Sequence, residues 1–359
     1  MKEESDYCEI SPSTSGNPLM QVLFRIGSLA KKILNSRFLP VFIVVTCWLL
    51  SVVARLIKSG SVYGMDFGLF HPDGTNYLRF TQDIVDLEIQ NSTIYAWSRP
   101  LYPFLSAPFY LFFGKPGMLV IPALCYLLLG LLLLQFATER KMRLVVSFLY
   151  LVLSSSSTLL RWVVADLTDS LHLLLFSLCC LGVYKHWKIQ YLSLFVILGA
   201  LARPMGFLWA ALFIAFAIKC DRGLKRNYLI LSILSLVLFL FNTLLMAILG
   251  GFGPNSKSLT SQIASVPFNY ISLIVVEFGQ LVVMDRILFY FAVFSIVIAL
   301  MNLRDPWSLI HLSVIFSSFL LSAWIGVWGV NFRYQLPVLT TALIVFIRNP
   351  YLRRFINLA

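Results

Sequence analysis

The stretch SVYGMDFGLFHPDGTNYLRFTQDIVDLEIQNSTIYAWSRPLYPFLSAPFYLFF, Ser61 to Phe113, is a polar insert in an otherwise apolar chain. It holds Asp66, Asp73, Asp83, Asp86 and Glu88, five of only 16 acids. It also carries two local patterns, Pro72-Asp73-Gly74-Thr75-Asn76-Tyr77 and Arg99-Pro100-Leu101-Tyr102-Pro103. Read against its surroundings, this segment is the roof of a site at a membrane surface, and the rest of the chain holds it there.

The surroundings are greasy. Of 359 residues 59% are hydrophobic and 12% charged, and the mean hydropathy is +0.84. Several apolar runs approach the ~20 residues that a spanning helix needs. Backbone groups in lipid must satisfy their own hydrogen bonds, and continuous runs without strand-like alternation point to an all-α transmembrane bundle rather than a barrel. The net charge of +12 does not read as nucleic-acid binding, because the cations sit in short clusters between apolar runs, as expected beside anionic lipid. The six cysteines include no C-x-x-C pair, which argues against a disulfide framework or a zinc site.

Outward from the insert, ten spans are expected at roughly 39–57, 117–138, 144–160, 169–184, 190–202, 205–218, 228–249, 287–302, 307–328 and 334–347. The pair meeting at Ala202-Arg203-Pro204 reads as two tilted half-spans or one re-entrant hairpin. Leu101–Phe113 and Val266–Met284, the latter holding Glu277, read as interfacial or re-entrant. Residues 1–18 are polar and read as a disordered tail. Over 19–38, apolar residues at helical spacing alternate with Arg25, Lys31, Lys32 and Arg37, which predicts an amphipathic helix on the cytoplasmic leaflet. Residues 39–359 then form the membrane domain, with a large outer loop at 58–116. Most Lys and Arg fall on one side if both termini are cytoplasmic. That topology, in a plasma (inner) membrane, puts the Ser61–Phe113 insert outside. No internal repeat is evident, which weakens an inverted-repeat transporter.

The layout resembles the GT-C superfamily of integral-membrane glycosyltransferases, in particular the protein mannosyltransferase and aminoarabinose transferase group. The points of likeness are a P-D-x-x-x-Y pattern in a large first outer loop (Pro72 to Tyr77) and a basic-Pro stretch before the next membrane segment (Arg99-Pro100). Asp169 at the outer start of a span, Arg203-Pro204, and Arg333-Tyr334 ahead of the last span follow in order. The chain departs from the family in having fewer spans than many members and no large soluble C-terminal domain, so the acceptor is not carried over. The resemblance implies transfer of a sugar from a polyprenyl-phosphate donor to an acceptor on the outer face.

That chemistry needs a carboxylate to take the acceptor proton, cations for the leaving phosphate, and a greasy groove for the isoprenoid. Inverting transfer needs one base and no covalent nucleophile. Asp73 is the first candidate, against an Asx-turn at Pro72-Asp73-Gly74; Asp66 is its rival, as base or metal ligand. Arg203, Arg333, Arg161 and Arg99 are the candidate phosphate ligands, against snorkelling to headgroups. Tyr77, Asp169, Tyr102 and Tyr334 are the candidate substrate contacts, and Asp169 could equally favour a helix N-terminus. Asp166 and His71 leave a divalent metal open. A lipid or oligosaccharide flippase or transporter is the alternative, with Glu277 as a coupling site.

The topology has a direct test. With the native cysteines removed, an impermeant thiol reagent applied from outside should label Ser92→Cys and spare Ser15→Cys; the reverse pattern would invert every loop assignment.

Overall fold

The structure, a computed structural model, describes residues 36, 38–59, 74–88, 98–156, 159–160, 163–165, 167–220, 222–248, 270, 272, 274–276, 279, 285–325 and 336–358. The chain divides into a short N-terminal unit, Met1–Leu39, and a main unit, Pro40–Ala359. The tail expected at 1–18 and nearly all of the amphipathic helix expected at 19–38 lie outside the described residues.

Every regular element among the described residues is helical. In chain order these are α1 (Leu39–Ser59), α2 (Gly74–Val85), α3 (Leu101–Phe113), α4 (Val120–Leu133), α5 (Arg140–Ser154), α6 (Asp169–Tyr184) and α7 (Ile189–Ala202). They continue as α8 (Gly206–Lys219), α9 (Arg222–Ile248), α10 (Arg286–Met301), α11 (Pro306–Ile325), α12 (Leu336–Arg348) and α13 (Pro350–Leu358). Short 3₁₀ turns, Lys115–Leu119 and Leu134–Phe136, extend α4 at both ends.

The ten apolar segments drawn from sequence each coincide with a helix, and three boundaries are corrected. α5 begins at Arg140, so the basic cluster at 140–143 forms its first turn rather than a preceding loop, and it ends at Ser154 rather than 160. α9 begins at Arg222, six residues early. Within the 58–116 loop lie α2 and, at the segment expected to be interfacial or re-entrant, α3. At ~20 Å, α3 is shorter than a bilayer core.

Helix ends follow local chemistry. α7 stops because Pro204 disfavours helical geometry at the residue before it, and Arg203 is extended there (φ −161°, ψ 127°). α3 stops at Gly114, whose φ of +62° suits a residue without Cβ.

Two helices form the centre. All of α12 up to Ile347 is buried, and α6 buries every residue except Leu178 and Tyr184. α6 packs on α4, α7 and α12, while α8 packs on α9 and α11. The central pair is tied by a hydrogen bond between the Ser177 and Thr340 hydroxyls (2.7 Å). The periphery is the reverse. Large apolar side chains stand exposed on α1 (Phe42), α3 (Phe112), α9 (Phe241, 64% exposed) and α10 (Phe294). Exposed apolar surface of this extent is what a bundle offers to lipid rather than to water. Lys115–Phe136 and Gly223–Met246 are long and apolar enough to cross a membrane, and shorter apolar helices accompany them.

Close backbone approach at small residues also holds helices of this apolar kind together. Gly206 shows this, because a Cβ there would lie 2.3 Å from the Ser235 carbonyl oxygen on α9. Gly206→Ala should therefore lower stability by about 1–3 kcal/mol. Gly223→Ala, with open space at that position, should leave it unchanged or raise it by up to ~1 kcal/mol. Thermal unfolding of the purified protein in detergent compares the two.

Candidate functional site

Antiparallel succession brings the end of α7 and the starts of α6 and α8 together. Asp169, the first residue of α6, forms an ion pair with Arg203, which lies just past α7. Both side chains are sealed from solvent, Arg203 at 2% exposure and Asp169 at 0%. Desolvating two ions is expensive, and their attraction offsets the cost only in good geometry. The extended Arg203 backbone is itself held, since its N–H donates to the Gly199 carbonyl and its carbonyl accepts from Met205 N–H, each at 2.8 Å. On the flanks of Asp169, the Thr168 and Ser170 hydroxyls are buried and have no partner among the described residues. One turn further into α6, His172 accepts a hydrogen bond from Trp209 Nε1 (3.0 Å).

At the same end of the bundle α2 and α3 bring the two patterns of the polar insert into contact. Arg99 Nη1 donates to the Tyr77 hydroxyl (3.0 Å), and the Tyr77 and Tyr102 rings meet edge-on with centroids 5.6 Å apart. The Tyr102 hydroxyl donates to the Met118 carbonyl (2.7 Å). Asn242, far along α9, donates to the Ser98 carbonyl (2.9 Å) and anchors the assembly to the bundle. Gly206 and Phe207 at the start of α8 pack on Ser235 and Phe239 of α9, which connects this cluster to the Asp169–Arg203 end.

A second acid was not among the sequence candidates. Asp285 caps α10 by accepting from Leu288 N–H (3.2 Å), and its other oxygen accepts from the Ser156 hydroxyl beyond α5 (2.6 Å). An acid just before an apolar run signals such a cap. Its partner 129 positions away carried no sequence signal.

Five of the sequence candidates are thus placed, Tyr77, Arg99 and Tyr102 in one cluster and Asp169 with Arg203 in another. Asp66, His71, Asp73, Arg161, Asp166, Glu277, Arg333 and Tyr334 lie outside the described residues. Arg203 is not at a surface reading headgroups. Its charge is matched by a carboxylate, so an entering phosphate would have to share it with Asp169. Among the described residues no group of three His, Cys, Asp or Glu lies close enough to hold a metal ion.

No family model, curated protein or solved structure matches this chain.

The buried pair predicts strong non-additivity. Asp169→Ala or Arg203→Ala alone should cost about 3–5 kcal/mol, because each removes the ion-pair partner of a buried charge. The double variant Asp169→Leu with Arg203→Met, which removes both charges, should cost far less than the sum. Unfolding midpoints of the single and double variants provide the measurement.

Proposed function

We propose that this chain is a polytopic membrane glycosyltransferase of about ten spans, with both termini cytoplasmic, that moves a sugar from a polyprenyl-phosphate donor to an acceptor on the outer face. The observation that carries the reading is the contact between Tyr77 and Arg99. The two patterns of the polar insert, P-D-x-x-x-Y and Arg-Pro, meet through a direct hydrogen bond at the bundle end that also holds Asp169 and Arg203.

In this reading a carboxylate adjoining α2, Asp73 or its rival Asp66, takes the proton of the acceptor hydroxyl or amine. The acceptor atom attacks the anomeric carbon from the face opposite the phosphate, and the bond from that carbon to the phosphate oxygen breaks. Polyprenyl phosphate leaves with the bonding electrons, and its growing charge is met by arginines. Arg99, Arg161, Arg203 and Arg333 are the candidates for that role. Arg99 is pre-oriented by Tyr77, and Arg203 by Asp169. Tyr334 completes the proposed substrate contacts, while Tyr102, buried and with its hydroxyl taken by the Met118 carbonyl, supports the Tyr77 ring rather than touching substrate.

A transporter or flippase is the second reading, favoured by one observation. His311 on α11 is fully buried between Thr341 on α12 (2.9 Å to Nδ1) and Ser295 on α10 (3.0 Å to Nε2). An ionisable residue deep in a membrane bundle marks a transport or relay path as often as a structural one.

The enzyme reading turns on the base. Asp73→Asn keeps size and turn preference, so the protein should fold and bind donor while turnover falls ~10²–10⁴-fold. If Asp66→Asn abolishes turnover and Asp73→Asn stays within about threefold of wild type, the base is Asp66. Full turnover in both variants would remove the enzyme reading and leave the transporter.

A further inference from the structure

The opposite end of the bundle carries an open groove of about 400 Å³ at the turn between α6 and α7, lined by His186, Trp187, Lys188, Tyr191 and Phe195. Its geometry is built rather than incidental. α6 ends with the Trp187 N–H donating back to the Gly182 carbonyl (2.8 Å) and the His186 N–H to the Val183 carbonyl (3.2 Å). This doubly bonded helix terminus calls for a left-handed residue, usually glycine. Here it is His186 at φ 55°, so a side chain stands on the groove rim where glycine would leave none. The Trp187 indole is seated over Gly182, where a Cβ would lie 2.8 Å from its ring, and it tilts against Phe195 with centroids 6.0 Å apart.

From the groove an apolar lane climbs α7 through Tyr191, Leu194, Ile197 and Leu201, all exposed and at helical spacing. The rim is cationic. Lys188 lines the groove, Lys185 is exposed in the turn just before it, and among the described residues no carboxylate pairs with either. Among the described acids at this end, Asp305 is taken by Arg348 (2.7 Å), and Glu139 follows the end of α4, where Phe136 meets Tyr184.

We propose that this groove binds an anionic phospholipid of the adjoining leaflet, with its headgroup phosphate between Lys185 and Lys188 and one acyl chain along the α7 lane. The inference rests on the membrane-spanning part of the reading above, not on its chemistry. Aromatic rings alone would also suit a choline headgroup through cation–π attraction. The ammonium of Lys188 in the lining, with Lys185 in the adjoining turn, repels choline and attracts a lipid whose headgroup carries net negative charge.

The test uses the full-length protein in nanodiscs of unlabelled phosphatidylcholine, doped at equal mole fraction with dibrominated phosphatidylglycerol or dibrominated phosphatidylcholine. Bromine quenches nearby indoles, and the emission of wild type minus that of Trp187→Phe isolates Trp187. Trp187 should be quenched several-fold more by the brominated anionic lipid. Each juxtamembrane lysine contributes about fivefold to anionic-lipid affinity, so Lys185→Gln with Lys188→Gln should erase the preference while Trp187 still reports. Equal quenching by the two lipids in wild type, or a preference that survives in the lysine variant, would overturn the proposal. Absence of quenching of any tryptophan by either lipid would overturn the membrane reading as well, and is distinguishable because it affects total emission rather than the Trp187 share.

Discussion

The ion pair between Asp169 and Arg203 is the constraint from which the bundle is best understood. It joins the first residue of one of the two central helices to the break between α7 and α8, and it does so out of contact with water. Neither charge is tolerable there alone. The carboxylate also sits at the positive end of the α6 dipole, which favours it further. The pair therefore fixes the register of α6 against α7. Through Pro204 and Gly206 it also fixes where α8 starts its packing on α9.

Elsewhere the helices are held by small residues and shared hydroxyls. Ser177 with Thr340, and His311 with Ser295 and Thr341, link α6, α10, α11 and α12 through buried polar contacts. Gly130 lets the Val44 and Tyr150 side chains close on α4, and Gly199 admits the Trp209 ring. A bundle whose outer surface is apolar gains little from apolar contact inside, since lipid offers the same. Hydrogen bonds and close packing between helices then select the arrangement.

The two ends of the bundle are chemically different. One gathers Asp169, Arg203, Asp285 and the Tyr77–Arg99 contact, opposite charges and hydroxyls held in fixed relation. The other gathers Lys185, Lys188 and the Arg348–Asp305 pair around Tyr184 and Trp307, a cationic rim on an aromatic layer. The first is suited to orienting a polar substrate, the second to anchoring against an anionic surface. This division is the physical basis for the proposed chemistry at one end and the proposed lipid contact at the other.

The sequence by itself determined the all-helical class and the positions of the apolar helices, because uninterrupted apolar runs leave a backbone no other way to satisfy its hydrogen bonds. α6 was legible residue for residue, with an acid at its start and Lys185 just past its end. It also marked Tyr77, Arg99, Asp169 and Arg203 as unusual, since polar groups among so much apolar surface stand out. It did not reveal that the basic run at 140–143 begins a helix, because charge near a span end reads alike in either case. What only the tertiary structure decided is pairing. Asp169 and Arg203 are 34 positions apart, Ser156 and Asp285 129, and no local pattern encodes which buried charge meets which. That choice is made when helices pack, because an ion or hydroxyl removed from water must find its partner among whatever side chains the packing brings within reach.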